Sequence, residues 1–142
     1  MAIMESTEGL IRQMLDVYPR KGALELDAAA LVDCIEACVE CEHVCTACAD
    51  ASLAQQDLVE LVKSIRLCLD CAEICAVTAH ILTRQTEANS DLRQAQVTAC
   101  VQACRVCAAE RQRHASHHEH HRICAETCRR CEGACNRMLK AA

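Results

Sequence analysis

Fifteen cysteines dominate the chemistry that this sequence can perform. They fall into groups along the chain, and within each group the gaps alternate between three and four residues. Thiolates are soft ligands that select Cu(I), Zn(II) or iron–sulfur clusters, so this pattern predicts a metal-binding interior. The candidate metal ligands are Cys34, Cys38, Cys41, Cys45 and Cys48, then Cys68, Cys71 and Cys75, then Cys100, Cys104 and Cys107, and finally Cys124, Cys128, Cys131 and Cys135.

The spacing of the cysteines predicts the elements that must carry them. In an α-helix, residues three and four apart lie on one face, so each group forms a stripe on one helix. The composition agrees, because one Pro, three Gly and a single aromatic residue, Tyr18, suit helices and lack the runs that strands need. The predicted helices run from a start between Ala23 and Asp27 to about Leu53, from Asp57 to about Gln85, from about Leu92 to His114, and from near His117 to near Leu139.

Turn and capping signals separate these helices. Asp57-x-x-Glu60 and Ser116-x-x-Glu119 have the spacing of capping boxes. The polar stretch from Thr86 to Asp91 has turn chemistry. Short connections make neighbouring helices antiparallel. The predicted fold is therefore all-α, an antiparallel up-down-up-down four-helix bundle with a short N-terminal accessory helix.

The accessory helix is predicted from an amphipathic segment, Thr7 to Val17, that ends before Pro19. Leu10, Ile11, Met14 and Leu15 share one of its faces. We expect it to cover the bundle or to join protomers. The predicted organisation is an accessory helix and linker over residues 1–22 and a cysteine-lined bundle over residues 23–142, with one core, as the length allows.

Folding the chain at its short connections brings the stripes to the same heights. The cysteines then form one thiol column, in which Cys34 and Cys48 lie about 21 Å apart at roughly 1.5 Å per residue. The column has an apolar end, beyond Cys34, and a histidine end, beyond Cys48. The apolar end continues in Leu31, Leu82, Val97, Met138 and Leu139, and the histidine end continues in Ser64, His114, His117, His120 and His121.

Four histidines have a register that lets them face the histidine end. His114 follows Cys107 by seven residues, whereas His117, His120 and His121 precede Cys124 by seven, four and three. Imidazole ligates copper, so these four are candidates for metal entry, and a solvated helix end is the alternative interpretation. We expect His118, His43 and His80 to be surface residues, and Met138 to be a core residue rather than a ligand.

Charge and spacing favour Cu(I) among the soft metals. Structural zinc sites are separate and closed, and iron–sulfur motifs place cysteines in loops, whereas these stripes run on without interruption. One Cu(I) per thiolate leaves no net charge, whereas zinc with four thiolates leaves a charge that must be compensated. No basic residue is expected on the stripes within the cysteine zone. We therefore expect many Cu(I) ions per chain.

Other functions remain open from the residues alone. One metal alternative is zinc or mixed-metal sequestration. A thiol-based redox or peroxide-scavenging protein is the alternative from another class, although Cys68-x-x-Cys71 lacks the βαβ setting of thioredoxin-like motifs. Cysteine is also a small hydrophobe that can fill a core, but Ala, Val or Leu would do so without oxidation. We predict a binding protein rather than an enzyme.

The remaining features of the sequence bear on location and partners. The N-terminus has no export signal and no run of about 18 apolar residues occurs, so a cytoplasmic protein with no membrane segment is expected. Fifteen thiols cannot all pair within one chain, and cytosolic cysteines are usually reduced. The net charge of −5 is interspersed rather than in blocks, which argues against nucleic-acid binding.

Several motifs together resemble one family. The stripes, the stretch from Ser64 to Ala76 with Cys68-x-x-Cys71-Ala-Glu-Ile-Cys75, and the His-rich lead-in to Cys124 resemble the cytosolic bacterial copper storage proteins over about residues 24–140. The resemblance implies a homo-oligomer, a tetramer, that stores Cu(I) inside each bundle and admits it at one end. Copper chaperones or efflux proteins are the implied partners. Stripe positions that are not cysteine here include Leu61, Ser64 and Arg111.

Overall fold

The computed structural model describes residues 9–19 and 27–141. These residues form helices and no strand, which confirms the all-α fold. The predicted helix start between Ala23 and Leu26, the stripe residue Leu24, and Thr7 and Glu8 of the accessory segment lie outside the described residues. The helices are α1 (Leu10–Asp16), α2 (Ala28–Leu53), α3 (Val62–Thr83, preceded by a 3-10 turn over Leu58–Leu61), α4 (Ser90–His114) and α5 (Glu119–Ala141).

The four long helices close a ring around the thiol column. Helix α2 packs on α3, α3 on α4, α4 on α5, and α5 returns to α2. Each helix therefore contacts its neighbours in sequence, and the first and last close the ring. Short connections join the helices in sequence, so the helices alternate in direction, as predicted. None of the described helices has a stretch long and apolar enough to cross a membrane.

Two of the long helices begin at side-chain caps, and α4 begins two residues before the predicted Leu92. The Asp27 carboxylate accepts a hydrogen bond from the Ala30 backbone N–H at 3.0 Å. The Asn89 side-chain oxygen accepts one from the Leu92 N–H at 2.9 Å, so α4 begins at Ser90. Each cap satisfies a backbone donor that the first turn of a helix leaves free.

The other two starts differ from prediction. Asp57 makes no side-chain cap, and α3 is entered through the 3-10 turn instead of a capping box. The Asp57 carboxylate lies 3.0 Å from His118 Nε2, so a contact with the α4–α5 connection replaces the cap. Helix α5 begins at Glu119, whose carboxylate accepts a hydrogen bond from Arg122. Both starts lie near the histidine end.

The apolar end is built as the stripes predict. Leu31, Leu82 and Val97 are buried, and Met138 and Leu139 pack against them while partly exposed. Burying aliphatic side chains here excludes water from the base of the thiol column. The thiol column is therefore closed at this end.

Helix α1 packs on the outside of the bundle against α2. Leu15 is buried, whereas Leu10 and Met14 on the same predicted face are 78% and 62% exposed. Tyr18 anchors the end of this segment, because its hydroxyl donates a hydrogen bond to the Thr83 carbonyl at 3.0 Å. The predicted accessory helix thus covers part of the bundle through a single buried side chain.

Candidate metal centre

All fifteen cysteines are buried with free thiols, and no disulfide joins any of them. Every stripe position predicted from the sequence therefore points into the bundle. Helix α2 contributes the longest stripe, and α3, α4 and α5 face it from around the ring. The structure brings all the predicted cysteine ligands together in one core.

The sulfur atoms form a nearly continuous chain of contacts. Near the apolar end, Cys34 Sγ lies 3.5 Å from Cys135 Sγ. Midway, Cys75 Sγ lies 3.8 Å from Cys104 Sγ, and Cys45 Sγ lies 3.6 Å from Cys128 Sγ. Every cysteine except Cys48 has another cysteine sulfur within 4.0 Å. The thiol column is thus a sulfur network rather than a set of separate pairs.

Five of the groups of four sulfurs, each sulfur within 4.8 Å of the others in its group, follow one another along the column, and each consecutive pair of these five shares two cysteines. Sharing of two sulfurs at every step makes the column a chain of linked ligand sets. A sulfur that belongs to two sets can bridge two metal ions. In order from the apolar end, the groups are Cys38, Cys100, Cys131 and Cys135; Cys75, Cys100, Cys104 and Cys131; Cys41, Cys71, Cys75 and Cys104; Cys41, Cys45, Cys71 and Cys128; and Cys45, Cys107, Cys124 and Cys128.

Proton sharing couples the thiols. Contacts with Cys135 and then Cys38 lower the pKa of Cys34 to about 5, although burial acts to raise it. The contact with Cys100 raises the pKa of Cys38. A thiolate is stabilised by neighbouring thiols that keep their protons. The thiols therefore lose their protons in steps whose pKa values describe the whole network and not single cysteines. Bound metal would take the place of these protons.

At the histidine end, two imidazoles meet the outermost thiol. His120 Nδ1 lies 3.3 Å from Cys48 Sγ, and His121 Nδ1 lies 4.0 Å from the same sulfur. His121 is fully buried, whereas His120 is partly exposed. The rings of these two histidines are 4.4 Å apart. Their contacts match the register that the sequence indicates for metal entry.

The positions of the other histidines agree only in part with the predicted entry and surface sets. His118 is not a free surface residue, because its ring stacks on His120 at 5.6 Å and its Nε2 meets the Asp57 carboxylate. His114 lies 5.4 Å from His121, as its register predicts, but His117 is exposed. His43 and His80 are exposed, as expected. His118 lies in the α4–α5 connection, outside either helix, so helical spacing cannot show which way it faces.

A basic residue continues the α4 stripe just beyond the cysteine zone and is close to the thiols at the histidine end. Arg111 lies on the α4 stripe four residues after Cys107 and is fully buried. Its guanidinium lies 3.0 Å from His121 Nδ1 and donates a hydrogen bond to the Ser64 carbonyl. Burial lowers the pKa of Arg111, but nearby thiols, Cys68 and Cys48 foremost, raise it overall. The stripe spacing was sufficient to find this residue.

Glu110 is a second residue at this end that the pattern did not single out. Its carboxylate accepts a hydrogen bond from the Ser64 hydroxyl at 3.1 Å and lies 3.4 Å from His114 Nε2. Arg113 and Lys63 pair with it at 3.2 and 3.8 Å. Burial acts to raise its pKa, but these partners hold it below its usual range. The i, i+3 and i, i+4 spacing on α4 could have linked Glu110 to Arg113 and His114, whereas Ser64 and Lys63 reach it from α3, which no sequence signal shows.

Comparison with known proteins agrees with this site. Residues 27–140 match the family model described as copper storage protein. The chain is similar to the Streptomyces lividans copper storage protein Ccsp loaded with 10 copper equivalents, at 41% identity and a TM-score of 0.91, covering 93% of this chain and 99% of that one. A five-copper structure of the cytosolic protein from the same organism matches at 43% identity and a TM-score of 0.79, covering 84% and 98%. Among curated protein sequences, none matches this chain.

Proposed function

Because this chain belongs to the copper storage protein family, we propose that it stores several Cu(I) ions inside the thiol column, bound by its fifteen cysteine thiolates. The observation that carries the proposal is the sharing of two sulfurs between successive groups of four. A column of shared ligands suits many ions bridged by common thiolates. The protein holds copper without catalysing a reaction.

The oxidation state follows from ligand number and charge. Cu(I) accepts two or three thiolates, so a sulfur shared by neighbouring groups serves two ions without crowding either. One Cu(I) per thiolate is electrically neutral, whereas zinc with four thiolates carries an excess of two negative charges. The column offers a single buried guanidinium on its stripes, in the part of the chain that the structure describes. Monovalent copper is therefore the ion that this interior accommodates in number.

Zinc or mixed-metal sequestration is the second candidate, because the local distances suit zinc as well. A tetrahedral site with Zn–S bonds of about 2.3 Å places its sulfurs roughly 3.8 Å apart. The observed separations of 3.6 Å between Cys45 and Cys128 and 3.8 Å between Cys75 and Cys104 are close to this. Closed zinc sites do not share ligands, however, and these groups do. Zinc would fill only groups that have no member in common.

Copper enters at the histidine end in this proposal. The opposite end is closed by Leu31, Leu82 and Val97. His120 and His121 approach Cys48, and His114 and His117 complete the predicted entry set. Imidazole binds copper through nitrogen and can pass it to a thiolate that binds more tightly.

Storage is tested by anaerobic titration of the reduced protein with Cu(I) against a colorimetric Cu(I) chelator. We expect tight binding that continues to roughly ten ions per chain, on the order of the thiol count. A parallel titration with Zn(II) should saturate far earlier and be displaced by Cu(I). Saturation with one or two Cu(I), or zinc that Cu(I) does not displace, would contradict storage. Reversible thiol oxidation with turnover of a peroxide, without metal, would support the redox alternative.

Assembly and location complete the proposal. We propose a cytoplasmic homotetramer that receives copper from, or gives it to, a chaperone or an efflux protein. The relative loaded with five coppers is described as cytosolic, which supports the location. Exposed apolar side chains on α1, Leu10 and Met14 among them, give subunits an apolar surface to cover. Light scattering coupled to gel filtration should give the mass of four chains, and a monomer mass would contradict the assembly.

A further inference from the structure

The most unusual charge in the described part of this molecule is the guanidinium of Arg111. It is fully buried, and it is the largest of the fully buried side chains. Its two terminal nitrogens contact His121 and Ser64. Its third nitrogen, Nε, is buried and has no hydrogen-bond partner. A buried guanidinium normally pairs with an anion, because an unpaired buried charge is strongly destabilising.

No carboxylate among the residues described by the structure pairs with Arg111. The adjacent Glu110 is engaged elsewhere, with Lys63, Arg113 and His114. Four thiols of the column lie around the guanidinium, one from each of the four long helices: Cys48, Cys68, Cys107 and Cys124. Arg111 comes one turn after Cys107 on α4, its partner His121 contacts Cys48, and its partner Ser64 lies one turn before Cys68.

These four thiols lie together at the top of the column. Cys68 Sγ is 3.8 Å from Cys107 Sγ and 3.7 Å from Cys124 Sγ. Cys48 interacts with Cys124 and Cys68 and lies beside the two imidazoles of the histidine end. As neutral thiols they offer Arg111 no counter-charge. As thiolates that bind fewer Cu(I) ions than there are sulfurs, they would carry a net negative charge that pairs with the guanidinium.

We propose that Arg111 is the counter-ion of a copper–thiolate site formed by Cys48, Cys68, Cys107 and Cys124, in which thiolates exceed Cu(I) ions by one. The site is then neutral with its guanidinium, and the free Nε–H has a thiolate to which it can donate. Filling this site gives the buried charge the partner that it lacks without metal. The inference rests on the proposed function, since it concerns how one part of the stored copper is held.

The proposal predicts effects of opposite sign in the two states. Without copper, Arg111→Met should leave the thermal midpoint unchanged or raise it, because an uncompensated buried charge is removed. With copper, the same variant should lower the midpoint, because the excess thiolate is left unpaired. In competition with a Cu(I) chelator, the most affected ions should bind about tenfold or more weakly, since unit charges close together attract strongly at protein dielectric.

Matched variants separate charge from packing. Arg111→Lys keeps the charge and should stay close to wild type in both measurements, whereas Arg111→Gln should follow Arg111→Met. Arg105→Met is the control on the same helix, because Arg105 is exposed and pairs with Glu132 at 3.3 Å on the surface. It should leave copper affinity unchanged.

The copper titrations distinguish failure of the Arg111 inference from failure of the storage function. Wild-type protein that binds only one or two ions would defeat storage itself. Wild-type protein that binds many ions, with Arg111→Met binding them equally tightly, would overturn the Arg111 inference alone. The inference is also overturned if both neutral variants fail to fold without copper, because a counter-ion for bound metal is not needed in that state.

Discussion

The imidazole of His120 lies against the outermost thiol of the column, with its Nδ1 3.3 Å from Cys48 Sγ. On its other side, His120 Nε2 lies 3.1 Å from the Gln55 side-chain nitrogen. With the Gln55 amide donating, His120 accepts at Nε2 and presents Nδ1–H to the sulfur. An N–H directed at the sulfur favours the thiolate form that Cys48 needs to bind copper, and in the proposed entry route Cys48 is the first sulfur of the column.

We therefore predict that His120→Ala slows copper uptake. Loss of a hydrogen bond to a charged group should reduce the initial rate on the order of tenfold, while the final capacity stays unchanged. Stopped-flow mixing with a Cu(I)–chelator complex measures the rate. His80→Ala is the control, because His80 is exposed and lies far along α3 from the histidine end. Equal rates for His120→Ala and wild type would contradict this role.

A second prediction concerns shared sulfurs. Cys104 belongs to two successive groups of four, so Cys104→Ser should reduce the Cu(I) capacity by more than one ion, because a hydroxyl is a poor ligand for Cu(I). Cys34→Ser should lose fewer ions, since Cys34 is the outermost thiol of α2 at the closed apolar end, with its Sγ 3.5 Å from Cys135 Sγ. Copper and protein are measured together after removal of unbound metal. Equal losses in the two variants would argue against bridging.

The apolar end supplies stability rather than ligands. Leu82 is fully buried there, so Leu82→Ala should lower the free energy of unfolding by about 2 to 5 kcal/mol. Leu69→Ala is the matched control, because Leu69 is 45% exposed on the same helix, and it should change stability by only about 0.5 kcal/mol. Urea unfolding of metal-free protein followed by circular dichroism gives both values. A large loss of copper capacity in refolded Leu82→Ala would contradict the division of roles.

The helix period explains why so much of this fold could be predicted from the sequence. Gaps of three and four fix which face of each helix holds sulfur, and short connections fix the order of the helices, so the buried positions of all fifteen cysteines were predictable. The capping box at Asp57 was wrong because a tertiary contact with His118 competes for the same carboxylate. Local signals do not report such competition.

The histidine end was predictable only in part, for a related reason. Arg111 continues the α4 stripe after Cys107, so spacing predicts that it faces inward, but spacing does not predict that its charge lies among the thiols. Glu110 meets Ser64 of α3, and His118 meets Asp57 of the α2–α3 connection. Long polar side chains reach across several directions, so their contacts depend on the packed bundle and not on spacing alone.

Glu110 gives a prediction about pH. Its pKa is lowered from the usual 4.5 by Ser64, His114, Arg113 and Lys63, against the opposing effect of burial. A lowered pKa means that the folded state favours the carboxylate, so the stabilisation is fully present above pH 4.5 and is lost as the pH falls through the lowered value.

The urea midpoints of wild type and Glu110→Gln should therefore differ most near neutral pH and converge in acid. Asp50→Asn, at an exposed position on α2, is the control and should track wild type throughout. A difference between wild type and Glu110→Gln that grows as the pH falls would show that the carboxylate is not the stabilising form.

The number of Cu(I) ions that one chain holds at saturation tests the central claim most directly. Native mass spectrometry of protein loaded without oxygen, with free thiols counted in parallel, gives that number chain by chain. A shared-sulfur column predicts a series of species that extends to roughly ten Cu(I) per chain, with the thiols protected from alkylation as it fills. Saturation at one or two ions, with most thiols still reactive, would contradict storage in the thiol column.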